Sequence, residues 1–126
     1  MSDDADTADG SEAVAADASE AVVDAEGSDT DDPEAVLDSL FATIKQRQEE
    51  LPEDSYTASL FTHEKGENEV LEKLGEEATE VILAAKDDDL EDLQYESADF
   101  VYHLLVLFAM KDLTVDDLRD ELESRF

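Results

Sequence analysis

Between Phe100 and Met110 the chain reads Phe-Val-Tyr-His-Leu-Leu-Val-Leu-Phe-Ala-Met, and wound into a helix this run is apolar on every side except at His103. A helix of that kind must be covered all round. The run is about half the length that a bilayer crossing needs, so its cover has to come from protein. The other apolar segments supply only a few one-sided helices, too few for a domain of about 94 residues to bury it fully. A homodimer or larger oligomer with this helix near the interface is therefore expected.

Those segments are all helical in period. Asp32-Pro33-Glu34 offers an N-cap with proline at the first helical position, and Val36, Leu37, Leu40, Phe41 and Ile44 follow at helical spacing, predicting a helix from about 33 to 50. Residues 51–61 carry turn formers without a sustained period and read as a loop containing at most a short helical turn. Val70, Leu71, Leu74, Ala78, Val81, Ile82 and Ala85 form one stripe of a helix from Glu67 to Lys86. Gly75 inside it costs about 1 kcal/mol relative to alanine, which suggests close approach of another backbone. Asp87-Asp88-Asp89 breaks the pattern, a helix from Leu90 to Lys111 follows, and Thr114-x-x-Asp117 resembles a capping box opening a last helix towards Phe126. No alternating strand pattern competes. The fold class is all-α, a bundle of four to five helices.

Charge narrows the partners. The 126 residues carry 38 acidic and 8 basic side chains, a net charge of −30, which speaks against a bare nucleic-acid or anionic-membrane binder. Residues 1–32 hold twelve Asp or Glu and no Lys or Arg among small residues, and read as a disordered acidic tail, with an interaction tail as the alternative. Residues 33–126 form the domain. They still hold 26 acidic against 8 basic residues, the surface expected of a protein from a halophilic host, where salt screens the repulsion. The absence of cysteine excludes a disulfide framework, a thiolate zinc site and a cysteine nucleophile. The start Met1-Ser-Asp-Asp lacks the marks of a secretory signal. A cytoplasmic setting is expected.

On a wheel at about 100° per residue, Lys73, Glu77 and Glu80 share one flank of the 67–86 stripe, and Glu76 lies further round. Glu96, Asp99 and His103 share one sector of the following helix. If the two helices fold back antiparallel around Asp88, Glu80 lies level with Glu96 and Glu77 with Asp99, so four carboxylates converge. Crowded carboxylates must protonate, scatter or bind a cation. An all-oxygen set suits Mg²⁺ or Mn²⁺. The competing reading is that any helix in so acidic a chain shows Glu at i, i+3, and spacing alone does not decide between them. A di-iron bundle would want Glu-x-x-His, whereas the residue three after Glu96 is Asp99.

The segment Lys73-Leu-Gly-Glu76-Glu77-Ala-Thr-Glu80-Val-Ile-Leu-Ala-Ala-Lys86, followed by Glu96-Ser-Ala-Asp99-Phe-Val-Tyr-His103-Leu-Leu-Val-Leu, resembles the phosphoribosyl-ATP pyrophosphohydrolase family of histidine biosynthesis. Ser55-Tyr56-Thr57-Ala-Ser-Leu60-Phe61 resembles the loop that precedes that family's metal helix. The likeness covers roughly residues 34–126 and implies the all-α NTP pyrophosphatase fold, completed by dimerisation. It implies Mg²⁺-dependent hydrolysis of phosphoribosyl-ATP to phosphoribosyl-AMP and pyrophosphate. It also implies Glu77, Glu80, Glu96 and Asp99 as metal ligands, with Glu76 a further ligand or a group that positions water, so that catalysis falls to Glu76, Glu77 and Glu80. Lys73 is a candidate for a substrate phosphate or for an i, i+4 ion pair with Glu77. Lys86 can favour the helix dipole, and the resemblance adds a phosphate role. Ser55, Tyr56 and Thr57 are candidates for binding phosphate or ribose, or for capping and packing the loop. His103 can orient a carboxylate or sit satisfied in the core, and His63 gives no signal.

Two other functions fit parts of the pattern. A housekeeping nucleoside triphosphate pyrophosphatase would share the carboxylates, and a non-catalytic acidic helical interaction module would use them only for solvation. With no cysteine for the zinc-dependent cyclohydrolase to which this activity is fused in some organisms, the chain is expected to be monofunctional.

The surface charge predicts that the domain loses helical structure as ionic strength falls. Circular dichroism followed from molar KCl down to dilute buffer should show that loss, and an unchanged spectrum would contradict it.

Overall fold

A computed structural model describes residues 32–126, and the tail read over residues 1–32 lies outside them apart from Asp32. Asp32 Oδ1 accepts a hydrogen bond from Glu34 N at 3.0 Å and caps a 3₁₀ turn, Pro33–Ala35, that leads into α1, Val36–Glu50. The expected first helix thus begins with a tighter turn. Val36 and Leu37 stay exposed at its start, while Ile44 is fully buried. Leu51, in the left-handed region at φ 49°, ends α1 with its N–H on Arg47 O at 2.9 Å.

The loop expected over 51–61 contains a true helix, α2, Tyr56–Thr62. Ser55 Oγ accepts from Ala58 N at 3.1 Å as its N-cap, and Thr57, Ala58 and Leu60 are buried. Two turns are too few for a 3.6-residue period to stand out in sequence. Gly66 at φ 61° then turns the chain into α3, a position where a side chain would be strained.

The elements α3, Glu67–Lys86, and α4, Leu90–Met110, have the expected bounds to within a residue. Asp88 sits between them in the left-handed region at φ 56°, Asp88 N bonds Ala85 O at 3.1 Å, and Asp89 N bonds Ala84 O at 3.0 Å. This is a Schellman closure with aspartate where glycine is usual. Asp89 turns at once to cap α4 by accepting from Asp92 N at 3.1 Å. A reversal this tight lays the two helices antiparallel. Asp112 closes α4 in the same manner, with Leu113 N on Phe108 O at 2.9 Å. The capping box then forms as read: Asp117 N donates to Thr114 Oγ1 at 3.1 Å and Thr114 N to Asp117 Oδ2 at 2.8 Å, opening α5, Val115–Glu123.

The core draws on every helix: Ile44 from α1, Leu60 from α2, Val70 from α3, Tyr102, Leu105, Val106 and Ala109 from α4, and Val115 from α5. The bundle is all-α among the described residues, with α4 as its hub and α3 its most extensive partner. The α3 stripe is only partly used. Val70 is buried and Leu74 packs on the core, whereas Leu71, Ile82 and Leu83 are exposed. Gly75 corrects an expectation: a Cβ built there meets nothing within 4 Å, so no backbone approaches it among the described residues. No described helix is long and apolar enough to cross a membrane.

Candidate functional site

The antiparallel seam of α3 and α4 brings the carboxylates together. Glu77 and Asp99 are both buried, 3% and 6% exposed, and Glu77 Oε1 and Asp99 Oδ1 have no hydrogen-bond partner. Glu96, half-buried, stands beside Glu77, and Glu80, exposed and nearer the Asp88 turn, is close enough to repel Glu96. The pairing of Glu77 with Asp99 and Glu80 with Glu96 is therefore the register that a turn at Asp88 imposes.

These groups resist ionisation together. Burial, with the carboxylates of Glu96 and Asp99 close by, pushes Glu77 up to about 10. Burial raises Glu96 as well, reinforced by Asp92 and Glu80 and opposed by a hydrogen bond with Glu77. Burial also raises Asp99, opposed by Glu77 and by the charge of Lys73. Carboxylates kept this far from water, each with one oxygen that no donor reaches, must share protons among themselves or meet a cation. An all-oxygen set with two orphaned buried atoms fits a hard divalent ion.

Ligand atoms of Glu77, Asp99 and His103 lie within 4.8 Å of one another, yet the imidazole is already engaged. Its Nδ1 donates to the Asp99 carbonyl oxygen at 3.0 Å, so Nε2 is the acceptor, and it receives the Tyr56 hydroxyl at 3.2 Å. Burial lowers the His103 pKa to about 4, and the ring is neutral at ordinary pH. His103 is therefore a neighbour of the carboxylates with both nitrogens committed. This contact joins residues 47 apart in sequence, which no local pattern could show.

The remaining candidates divide. Lys73, with its side chain 13% exposed, pairs with Glu76 at 3.7 Å rather than with Glu77, and its charge reaches both Asp99 and His103. Glu76 itself is exposed. Lys86 lies in the last turn of α3, about 9 Å along the axis from Glu80. Ser55 Oγ is an acceptor in the α2 cap, and Thr57 is fully buried with its hydroxyl on that of Tyr102. In this conformation capping and packing describe those two side chains. Tyr56 alone of the three reaches the site, through His103. Tyr95 was not singled out by the sequence, yet burial and the carboxylates of Asp99, Glu96 and Glu77 hold its half-exposed phenol above its usual range.

Because folded Glu77 binds its proton far more tightly than the unfolded side chain, near 4.5, the metal-free fold loses stability as pH rises between those values. His103 acts in the opposite sense, but only between about 4 and 6.5. Above pH of roughly 7 only the carboxylate effect remains. In EDTA, melting temperature should fall from neutral pH to about pH 9, and Glu77→Gln should flatten that slope and raise the melting temperature; equal slopes in both proteins would contradict the assignment.

The comparisons bear on the same helices. A family model described as phosphoribosyl-ATP pyrophosphohydrolase matches residues 37–126. The chain is 70% identical over 96 residues to a phosphoribosyl-ATP pyrophosphatase of Haloarcula marismortui, covering 76% of this chain and 98% of that protein. It is 64% identical over 98 residues to the phosphoribosyl-ATP pyrophosphatase of Haloquadratum walsbyi, with the same coverage. It is also 44% identical over 98 residues, 78% of this chain, to the histidine biosynthesis bifunctional protein HisIE of Caldanaerobacter subterraneus, of which the match spans 47%. With the matched region running from α1 to the last residue and enclosing the whole carboxylate seam, the chain belongs to the phosphoribosyl-ATP pyrophosphohydrolase family.

Proposed function

We propose that this hydrolase cleaves phosphoribosyl-ATP to phosphoribosyl-AMP and pyrophosphate, the second step of histidine biosynthesis, with Mg²⁺ or Mn²⁺ held by Glu77, Glu80, Glu96 and Asp99. The observation that carries this reading is the pair of buried, unpartnered oxygens, Glu77 Oε1 and Asp99 Oδ1, flanked by two more acidic side chains. The ion would supply charge neutralisation for the phosphate oxygens and a lowered pKa for attacking water. Within the chain, Glu77 and Asp99 are the buried members of the seam, and Glu80 and Glu96 lie nearer the Asp88 turn and closer to solvent. A carboxylate of this group without cation contact accepts the proton of the attacking water. Glu76 and Lys73 form an adjacent ion pair, from which Lys73 can turn to a substrate phosphate and Glu76 to water. Lys86, at the hairpin end of the seam, and Tyr56, on α2, complete the candidates for substrate contact, while Ser55 and the fully buried Thr57 hold α2 in place beside them.

The proposal includes a homodimer. Leu71, Ile82 and Leu83 on α3, with Leu90 and Tyr95 at the start of α4, are exposed and call for cover, whereas the 100–110 run expected to need it is buried or half-buried within the single chain. A polyanionic substrate in a chain of net charge −30 also favours a cytoplasmic setting rich in salt, as in a halophilic host.

The test is pyrophosphate release by the full chain in molar KCl, with and without Mg²⁺, from phosphoribosyl-ATP, ATP and dUTP. Mg²⁺-dependent release confined to phosphoribosyl-ATP is expected, and Glu77→Gln or Glu96→Gln should lower it by roughly 100-fold or more without loss of helicity. Release from ATP or dUTP instead would favour a housekeeping pyrophosphatase, and a folded protein inert on all three would favour the interaction module.

A further inference from the structure

We infer that Tyr56 and His103 are positioning residues for the carboxylate seam: Tyr56, on α2, holds the His103 ring, and that ring keeps the Asp99 carboxylate free for a cation. The inference rests on the metal-binding reading above. His103 is fully buried, and its Nδ1–H is directed at the Asp99 backbone carbonyl, 3.0 Å away, while Asp99 Oδ1 stands at 3.8 Å, beyond hydrogen-bond reach. A small swing of the ring would exchange one acceptor for the other. Asp99 would then find its partner within the protein, and the seam would offer a cation one committed ligand fewer.

Three contacts oppose that swing. The Tyr56 hydroxyl donates to Nε2 at 3.2 Å, at the far end of the ring from Asp99. The Tyr56 ring meets the imidazole edge-on, with centroids 6.0 Å apart and planes at 83°. Tyr102 packs edge-on against the imidazole at 4.8 Å and 78°, with its own ring 6.5 Å from that of Tyr56, and is itself tied to α2 through the Thr57 hydroxyl. The imidazole is thus held by contacts from both α2 and α4, with Nδ1 as its donor and Nε2 as its acceptor. Partners of this kind, one bond removed from the ion, typically tune metal affinity by about 10- to 100-fold.

Mn²⁺ binding to the full chain in molar KCl, followed by the electron paramagnetic resonance of the free ion, tests this. Tyr56→Phe, which keeps the ring and removes only the hydroxyl, should weaken Mn²⁺ binding by about ten-fold. Because Tyr56 acts through His103, the double variant with His103→Asn should bind no more weakly than His103→Asn alone. Tyr56→Phe should keep the wild-type helical circular dichroism and reach the wild-type Mn²⁺ stoichiometry at high Mn²⁺, which loss of folded protein would not allow. Wild-type affinity in Tyr56→Phe, with binding still weakened in Glu77→Gln, would overturn the positioning role and leave the metal site standing. No Mn²⁺ binding by the wild-type chain would overturn both.

Discussion

Two carboxylates buried side by side, each with one oxygen that has no hydrogen-bond partner, are the constraint around which this structure is arranged. Burying one ionised carboxylate is costly, and burying a second against it more so. A fold that retains Glu77 and Asp99 in this position does so at the expense of its own metal-free stability. The seam is held despite that repulsion because α3 and α4 are clamped on either side of it. A Schellman closure at Asp88 fixes their register at one end, and the apolar packing of α4 fixes it along the rest.

The role of α4 follows from its mixed character. Its apolar residues Tyr102, Leu105, Val106 and Ala109 make it the hub of the core, the turns just before them carry Glu96 and Asp99, and His103 sits among them. Core and site therefore share one rigid element. The short α2 contributes to both: Leu60 enters the core, and Tyr56 reaches His103. The surface is dominated by acidic side chains, and four of the eight basic ones, Lys65, Lys111, Arg119 and Arg125, stand in exposed ion pairs such as Lys111 with Glu67 and Arg119 with Asp38. Such pairs contribute little individually. Lys73 differs in being largely buried and in acting on Asp99.

Long elements were legible in the sequence because period and punctuation agreed. The stripe from Val70 and Leu74, the Asp87-Asp88-Asp89 break and the Thr114 capping box defined α3, the hairpin and α5 closely. The hairpin then gave the pairing of Glu77 with Asp99, since positions equidistant from a tight turn must face each other. What escaped was short or distant in sequence. The two turns of α2 are too brief to display a period, and the Tyr56 to His103 bond depends on how α2 lies across α4. Gly75 misled because a helical glycine often marks a close contact, whereas here it faces open space. The exposure of Leu71 and Ile82 could not be foreseen from a stripe that only one neighbour partly covers.

The central claim is that the α3 and α4 seam exists to hold a divalent cation. Anomalous diffraction from crystals of the full chain soaked in Mn²⁺ tests it most directly. The account predicts a strong anomalous peak within coordinating distance of Glu77 and Asp99 and also contacted from the Glu80 and Glu96 side, with the His103 ring still turned to the Asp99 carbonyl. A seam without a peak, with Glu77 and Asp99 sharing a proton while Mn²⁺ binds elsewhere on the acidic surface, would contradict it.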